Sequence, residues 1–167
     1  MNARARSIQP CDKDLIKIPM NEIIQDITKI SNGTIVHAVN CQGTWGSGLA
    51  ASLKNEFPQA FLQYRQVYLK NEKRKWNLIG KIDVYKNSNI NVVSCFTQYD
   101  VGVTSRKTEY SAVKQCFREI SIINESVLYQ PVYIPYKMCC GLGGSDWNIV
   151  SEIINTYLPN AIICKEK

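Results

Sequence analysis

The stretch VNCQGTWGSGLAASL, residues 39–53, constrains the fold more than any other part of the chain. It overlaps the end of TIVHAVN, residues 34–40, a run rich in β-branched residues that is too short for a helix and therefore predicts a buried strand. After Gly48, apolar residues recur at every fourth position as far as Phe57, which is the helical period. A glycine-rich turn thus joins a predicted strand to a predicted helix.

The rest of the chain repeats this alternation of strand and helix. Further extended segments are predicted in DLIKIP (14–19), NEIIQDI (21–27), IGKIDVYK (79–86), INVVSCFTQ (90–98), PVYIPYKM (131–138) and AIIC (161–164). Helices are predicted from Pro58, from Glu109 to Asn124 and after Asp146. Strands that alternate with helices predict an α/β domain with a mostly parallel sheet.

Length and cysteine content restrict the class of protein. A chain of 167 residues predicts a single domain, which we place at 14–167, after a flexible N-terminal arm at 1–13 that is either loose or the cut edge of a longer protein. No apolar run approaches the roughly 20 residues of a membrane span, and the N-terminus lacks the apolar core of a signal peptide. The seven cysteines show no CxxC spacing and there is one histidine, so we expect no metal site, and free thiols in a reducing, cytoplasmic environment.

Charge gives a weaker indication of partners. The net charge of +6 suits an anionic ligand. The basic run KNEKRK, residues 70–75, is interpreted as a solvated helix end or loop, because no basic stripe interleaved with aromatic residues supports contact with nucleic acid.

A second glycine-rich segment, CCGLGGSD at 139–146, also follows a predicted strand and precedes a predicted helix. In an open α/β sheet, ligands bind beyond the carboxyl ends of the strands, so we expect both loops to meet at one place. Their backbone N–H groups and the positive helix ends could bind phosphate without lysine or arginine; the alternative is that both are only tight turns. The spacing GTWGSG differs from GxGxxG, and GxxxxGK[ST] is absent, which disfavours a Rossmann dehydrogenase and a P-loop nucleotidase.

Four segments, NEIIQDITKI, IVHAVNCQGTWGSGLAASLKNEFPQA, IGK and YIPYKMCCGLGGSDW, resemble the macro domains that bind ADP-ribose. The resemblance covers roughly residues 14–164. The first glycine-rich stretch looks most like the fungal ADP-ribose 1''-phosphate phosphatases and their viral and phage relatives. The resemblance implies a three-layer α/β/α macro domain with a mixed, mostly parallel central sheet, and a viral or fungal source.

The resemblance also implies how ADP-ribose would be held. Asp26 would accept a hydrogen bond from the adenine amino group, Ile27 would donate its backbone N–H, and Asn40 would bind the distal ribose. The family usually has glycine before the acidic residue, where this chain has Gln25. The other implied binding residues belong to the two glycine-rich loops: Gly46, Ser47 and Gly48 at the distal ribose and one phosphate, and Gly141, Leu142, Gly143, Gly144 and Ser145 at the pyrophosphate.

Three residues are candidates for catalysis, namely Asn40, His37 and Asp146. His37 occupies a position that is also histidine in the fungal phosphatases that the chain resembles, and histidine can transfer protons near neutral pH. Strand alternation nevertheless places residues 37 and 40 on opposite faces unless a bulge intervenes, so a buried, hydrogen-bonded histidine is the alternative. Asp146 would either activate water near the distal ribose or cap the helix that follows it.

The resemblance implies an enzyme, a phosphoric monoester hydrolase that removes the 1''-phosphate from ADP-ribose 1''-phosphate without a metal or other cofactor. We expect a monomer that binds ADP-ribose derivatives. We expect no contact with a membrane. The alternatives are a mono-ADP-ribosyl hydrolase acting on modified protein or nucleic acid, and a non-catalytic ADP-ribose-binding module. Related hydrolases use a Lys–Asp pair, and the matching positions here are Gln98 and Gly143, which argues against their covalent mechanism.

Overall fold

The computed structural model describes residues 20–101 and 106–167. Within them, six strands form one sheet. The strands are β1 (Asn21–Ile24), β2 (Gly33–Asn40), β3 (Ile82–Lys86), β4 (Ile90–Gln98), β5 (Val132–Pro135) and β6 (Ile162–Lys165). The predicted extended piece at 14–19 and the predicted arm at 1–13 lie outside the described residues.

Helices connect these strands. The described parts of the chain contain α1 (Gly48–Glu56), α2 (Pro58–Asn71), α3 (Tyr110–Ile123) and α4 (Trp147–Tyr157), with 3₁₀ segments at Ile27–Lys29 and Glu72–Leu78. Pro58 is the first residue of α2, where its missing N–H would have no helical partner in any case. Across residues 20–101 and 106–167, every helix is too short or too polar to cross a membrane.

The strand order is β1-β6-β5-β2-β4-β3. Every neighbouring pair is parallel except β3 and β4, which form an antiparallel hairpin. After β2, the chain adds β3 and β4 on one side of that strand, with β4 next to it. It then adds β5 and β6 on the other side, with β5 next to it. The predicted mixed, mostly parallel sheet is confirmed, and the boundary between β2 and β5 is its switch point.

Each face of the sheet carries its own hydrophobic core. Ile35 of β2 packs on one face together with Tyr64 of α2. Its neighbour Val36 packs on the other face with Phe117 of α3 and Ile154 of α4. Successive side chains of β2 therefore enter different cores, as a strand buried on both faces requires. This confirms the three-layer α/β/α architecture.

Three predicted strands are shorter than expected. β1 ends at Ile24, three residues before its predicted end, because Asp26 caps a 3₁₀ turn that begins at Ile27. β5 ends at Pro135, three residues before its predicted end, because Lys137 and Cys139 adopt left-handed backbone with φ of 57° and 68° and turn the chain into the second glycine-rich loop. β3 begins at Ile82, three residues after its predicted start, because Gly80 forms a turn with φ of 80°.

Candidate functional site

The two glycine-rich loops meet at the carboxyl ends of β2 and β5, which are neighbouring parallel strands. Between the loops lies an open cavity of about 300 Å³. Its lining residues come from the end of β2, the first loop with the start of α1, the end of β4, and the segment after β5: they are His37, Ala38, Val39, Asn40, Thr44, Trp45, Gly46, Ser47, Gly48, Leu49, Ala50, Gln98, Pro135, Tyr136, Lys137, Met138, Cys139, Gly141, Leu142 and Gly143. The cavity therefore occupies the switch point of the sheet, where α/β folds bind ligands.

The first loop supplies backbone N–H groups that the fold leaves without acceptors. α1 begins at Gly48, and the side chain of its N-cap residue, Ser47, makes no capping hydrogen bond. The N–H groups of residues 46–50 donate to no acceptor within the described residues, whereas Ala51 donates to the Ser47 carbonyl at 3.3 Å. The start of a nine-residue helix and its unpaired amides thus border the cavity, an arrangement suited to phosphate.

The second loop divides into a part that faces the cavity and a part that holds the turn together. The N–H groups of residues 141–143 have no acceptor in the described part of the chain. In contrast, Gly144 donates to the Gly141 carbonyl at 3.1 Å, and Ser145 donates to the Cys139 carbonyl at 3.0 Å. Gly144 and Ser145 also do not line the cavity. Their contact with pyrophosphate stays a prediction, and it is disfavoured because both N–H groups already donate within the loop.

Two glycines of this loop that line the cavity differ in what an added side chain would meet. A Cβ at Gly143 would stand 2.4 Å from Thr108 Oγ1 and 2.5 Å from the Cys139 carbonyl oxygen, so packing alone demands glycine there. A Cβ at Gly141 would meet no atom within 4 Å. Gly141 therefore leaves open space at the cavity wall, and Gly143 allows the loop to approach the rest of the protein.

A bulge brings Asn40 to the same cavity as His37. The register between β2 and β4 shifts between Val39 and Asn40. Both Asn40 and His37 line the cavity, although strict alternation would place them on opposite faces. The bulge that a catalytic role for His37 requires is therefore present. The catalytic role itself stays a prediction.

Hydrogen bonds fix the side chain of Asn40. Its Oδ1 accepts from the Gln42 N–H at 2.9 Å, and its Nδ2 donates to the Thr44 carbonyl at 2.8 Å. The buried Tyr64 hydroxyl lies 2.9 Å from the Asn40 carbonyl oxygen and 3.0 Å from Oδ1. Since Nδ2 carries two hydrogens, one remains for a ligand.

His37 is only 1% exposed. Its Nε2 lies 3.1 Å from Ser94 Oγ, and its ring meets the Trp45 ring edge-on with centroids 4.5 Å apart. Its Nδ1 has no hydrogen-bond partner among the described residues. Burial lowers the pKa of His37 to about 3, so the imidazole is neutral near pH 7. A phosphate dianion bound nearby would raise this pKa, because an opposite charge favours the imidazolium.

Asp146 is the exposed N-cap of α4. Its Oδ1 accepts from the Asn148 N–H at 2.8 Å, and its own N–H donates to the Tyr110 hydroxyl at 3.0 Å. These contacts confirm the interpretation of Asp146 as a helix cap. It does not line the cavity, and its predicted role in activating water stays untested.

A second depression, of about 410 Å³, adjoins the cavity. The two share Leu49, Pro135 and Tyr136 as lining residues, and Ile27 and Gln25 line the second. Together they form an elongated groove that runs from the 3₁₀ turn after β1 to the two glycine-rich loops.

Asp26 lies in the chain between Gln25 and Ile27, which line the second depression, and it caps the 3₁₀ turn. Its Oδ1 accepts from the Thr28 N–H at 2.9 Å and from the Thr28 hydroxyl at 2.7 Å. These bonds lower the pKa of Asp26, because they stabilise the charged carboxylate. An ionised acceptor is thus held beside the second depression, while its predicted contact with adenine stays a prediction.

Some site residues have no signal in the sequence. Lys137 lines the cavity from a left-handed backbone position that no local pattern announces. Lys137 Nζ and Lys165 Nζ lie 5.5 Å and 4.5 Å from the centroid of the Tyr136 ring, so two cations flank the wall that the two depressions share. Tyr64 fits the apolar period of α2, and only the structure shows that its hydroxyl positions Asn40.

The thiols around the cavity are not activated. Burial raises the pKa of Cys41 to about 12 and that of Cys139 to about 12, so both are protonated at neutral pH and poor nucleophiles. Within residues 20–101 and 106–167, no three His, Cys, Asp or Glu side chains are grouped to hold a metal ion.

Comparison with known proteins places this fold in a family. The macro domain family model matches residues 36–154, most of the chain. An uncharacterized 17.5 kDa protein from the tk-vs intergenic region of Enterobacteria phage T4 is 31% identical over 125 residues, covering 74% of this chain and 78% of that protein. The ADP-ribose 1''-phosphate phosphatase of Aspergillus fumigatus is 38% identical over 55 residues, which cover 32% of this chain and 28% of that protein.

Solved structures share the architecture. Thermosipho africanus DarTG in complex with ADP-ribose matches with a TM-score of 0.70 and 22% identity, covering 91% of this chain and 43% of that chain. At this identity the likeness shows the fold alone. The family model, which matches more than half of the chain, shows that the chain belongs to the macro domain family.

Proposed function

We propose that the groove binds ADP-ribose and that the protein removes the terminal phosphate from ADP-ribose 1''-phosphate. The observation that carries the proposal is the convergence on one cavity of two sets of N–H groups without acceptors, at residues 46–50 and 141–143. Donors on two sides suit a diphosphate that links two sugars. The phosphatase of Aspergillus fumigatus supports the same substrate, over an alignment that spans 28% of its length.

The shape of the groove gives the ligand its direction. In the proposed complex, adenine lies in the depression beside Ile27 and Asp26, and the pyrophosphate lies between the two glycine-rich loops. The distal ribose then reaches Asn40 at the end of β2. The 1''-phosphate is left near the start of α1, whose unpaired amides and positive helix end offset its charge.

The proposed reaction is attack of water on phosphorus. A bond forms between phosphorus and the water oxygen, and the bond between phosphorus and the oxygen carried by C1'' of the ribose breaks. The leaving oxygen takes up a proton, and the products are ADP-ribose and inorganic phosphate. Asn40 Nδ2 and the loop amides stabilise the charge on the phosphoryl oxygens. His37 and Asp146 are the two candidates for moving the proton: the first has an unpaired Nδ1 in a cavity-lining residue, and the second requires movement of the loop that precedes α4.

The test compares phosphate release by substituted proteins. Asn40→Asp keeps the Oδ1 acceptor for Gln42 and Tyr64, loses the Nδ2 donors and adds a negative charge facing the phosphate, so we expect kcat/KM to fall by roughly 10²-fold or more. Asn32→Asp is the matched control, because it makes the same change at an exposed asparagine just before β2, at the opposite end of the same strand. Unchanged phosphate release by Asn40→Asp would refute the assignment.

Two variants separate the candidates for the proton carrier, and two assays separate the candidate functions. His37→Gln and Asp146→Asn remove the titrating group, and Asp146→Asn keeps an oxygen for the helix cap. The variant that loses turnover identifies the proton carrier.

Calorimetric binding of ADP-ribose without phosphate release would select a binding module, and removal of ADP-ribose from modified protein or nucleic acid would select the hydrolase.

A further inference from the structure

A separate depression lies where α2 passes into the 3₁₀ segment Glu72–Leu78. Its volume is about 530 Å³, and it is lined by residues 69–74 and 77. It shares no lining residue with the groove described above. We call this surface, formed by residues 69–74 and 77, the basic depression.

The charges of the basic depression are unbalanced. Lys70, Lys73 and Arg74 line it and are exposed, and Glu72 is the one carboxylate among its lining residues. The ion pairs formed within the described residues are Lys29–Glu56 and Lys165–Glu22, which involve none of these cations. The depression therefore presents cations to solvent that a polyanion can neutralise with release of counterions.

A kink in the backbone turns Lys75 toward the protein and leaves the preceding cations exposed. Arg74 interrupts the 3₁₀ segment with φ of −140° and ψ of 40°. After this kink, Lys75 is half-buried, and its Nζ donates to Gln42 Oε1 at 2.6 Å. The 3₁₀ segment is thus anchored to the first glycine-rich loop, while Lys73 and Arg74 stay exposed.

The basic run is followed directly in the chain by an aromatic residue, Trp76. Trp76 is 59% exposed, and it stands in the chain next to Asn77, which lines the depression. Trp45 is 2% exposed and Trp147 is half-buried. The sequence places no aromatic residue within the basic run and one directly after it, and the structure shows that the side chain of this residue, Trp76, is exposed to solvent.

We propose that the basic depression binds single-stranded nucleic acid. Lys70, Lys73 and Arg74 hold successive phosphates, and an unpaired base stacks on the indole of Trp76. An acidic peptide would satisfy the cations and leave the indole face unused, and a duplex hides its base faces inside the stack. The proposal concerns a surface outside the groove and is independent of the proposed phosphatase activity.

The test measures binding of oligodeoxythymidylate of about 12 nucleotides, a length within the usual range for such sites. Anisotropy of a labelled strand gives the affinity between about 50 and 200 mM salt, where three phosphate contacts give a slope of about −2 in log affinity against log salt. Unlabelled strand should quench tryptophan fluorescence in the wild type and not in Trp76→Ala, because Trp76 is the most exposed of the three tryptophans. Trp76→Ala should also weaken binding roughly tenfold.

The paired variants are Lys73→Ala/Arg74→Ala and Lys114→Ala/Arg118→Ala. The second pair removes the same two charges from exposed positions on α3, which packs on the opposite face of the sheet from α2. We expect the first pair to reduce the salt slope to about −0.7 and the second to bind like the wild type apart from a small effect of net charge. Equal weakening by both pairs, quenching that survives Trp76→Ala, or equal affinity for polyglutamate or for duplex would each overturn the proposal.

Discussion

Burial of His37 makes the stability of the protein depend on pH, because folding changes the pKa of the imidazole. Its pKa is lowered to about 3 in the folded protein, while an unfolded chain has a value near 6.5. Between these values the unfolded state binds one more proton than the folded state, so the free energy of unfolding falls as pH falls below about 6.5.

We therefore predict that His37 alone removes about 2 kcal/mol of stability at pH 5 relative to pH 8. The measurement is denaturant unfolding at several pH values for the wild type and for His37→Gln. Because the chain has one histidine, subtracting the curve of the variant isolates this contribution. Parallel curves for the two proteins between pH 5 and 6.5 would contradict the burial of His37.

The sequence predicts the strand that carries Asn40, but not the contacts that position the Asn40 side chain. The pattern at 34–40 correctly indicated a buried strand that ends at Asn40, and the two faces of β2 follow from its alternation. The hydroxyl of Tyr64 fixes the Asn40 side chain from 24 residues away, and the bulge at Asn40 depends on the pairing of β2 with β4. Local sequence carries no information on such contacts.

At the scale of elements, the second glycine-rich loop combines a packing requirement with a binding surface. Gly143→Ala would force its Cβ against Thr108 and Cys139, and we predict a loss of about 1–3 kcal/mol in the free energy of unfolding. Gly141→Ala meets open space, so we predict stability within about 0.5 kcal/mol of the wild type and weaker binding of ADP-ribose.

Urea unfolding and calorimetry of the two variants check this pair. Equal stability of Gly143→Ala and the wild type would contradict the packing argument. Full affinity of Gly141→Ala for ADP-ribose would show that the ligand meets the amide edge of the loop and does not approach its Cα.

Helix and strand limits were predicted well where the pattern was long. β4 and α3 lie within one residue of the predicted 90–98 and 109–124, because each buries a continuous or strongly periodic apolar set. The end of β5 was wrong by three residues, since the left-handed residues Lys137 and Cys139 are not glycines and give no local warning.

At the scale of the whole molecule, the proposed ligand bridges loops from both sides of the switch point. A ligand that binds only the folded state stabilises it, by about 2.7 kcal/mol at a concentration 100 times Kd. We predict that ADP-ribose raises Tm by roughly 5–10 °C under that condition. Thermal unfolding with and without ADP-ribose measures the shift, and Asn40→Asp is the variant that should lose it. A wild-type Tm that ignores saturating ADP-ribose would remove the basis of the proposed function.

The α/β class and the mostly parallel sheet could be predicted from the alternation of elements. The strand order could not, because the position of β6 between β1 and β5 depends on pairing between the two ends of the chain. That order is nevertheless what brings the two glycine-rich loops together.

The unpaired amides at residues 46–50 and 141–143 have a consequence for how such a site changes over time. A donor that belongs to the main chain survives replacement of the side chain attached to it, so most substitutions in these loops would leave the proposed anion-binding site intact. Alanine scanning would for the same reason overlook much of it. Proline, which deletes the N–H itself, is the substitution that such a site resists, and Leu142→Pro is the direct way to probe it.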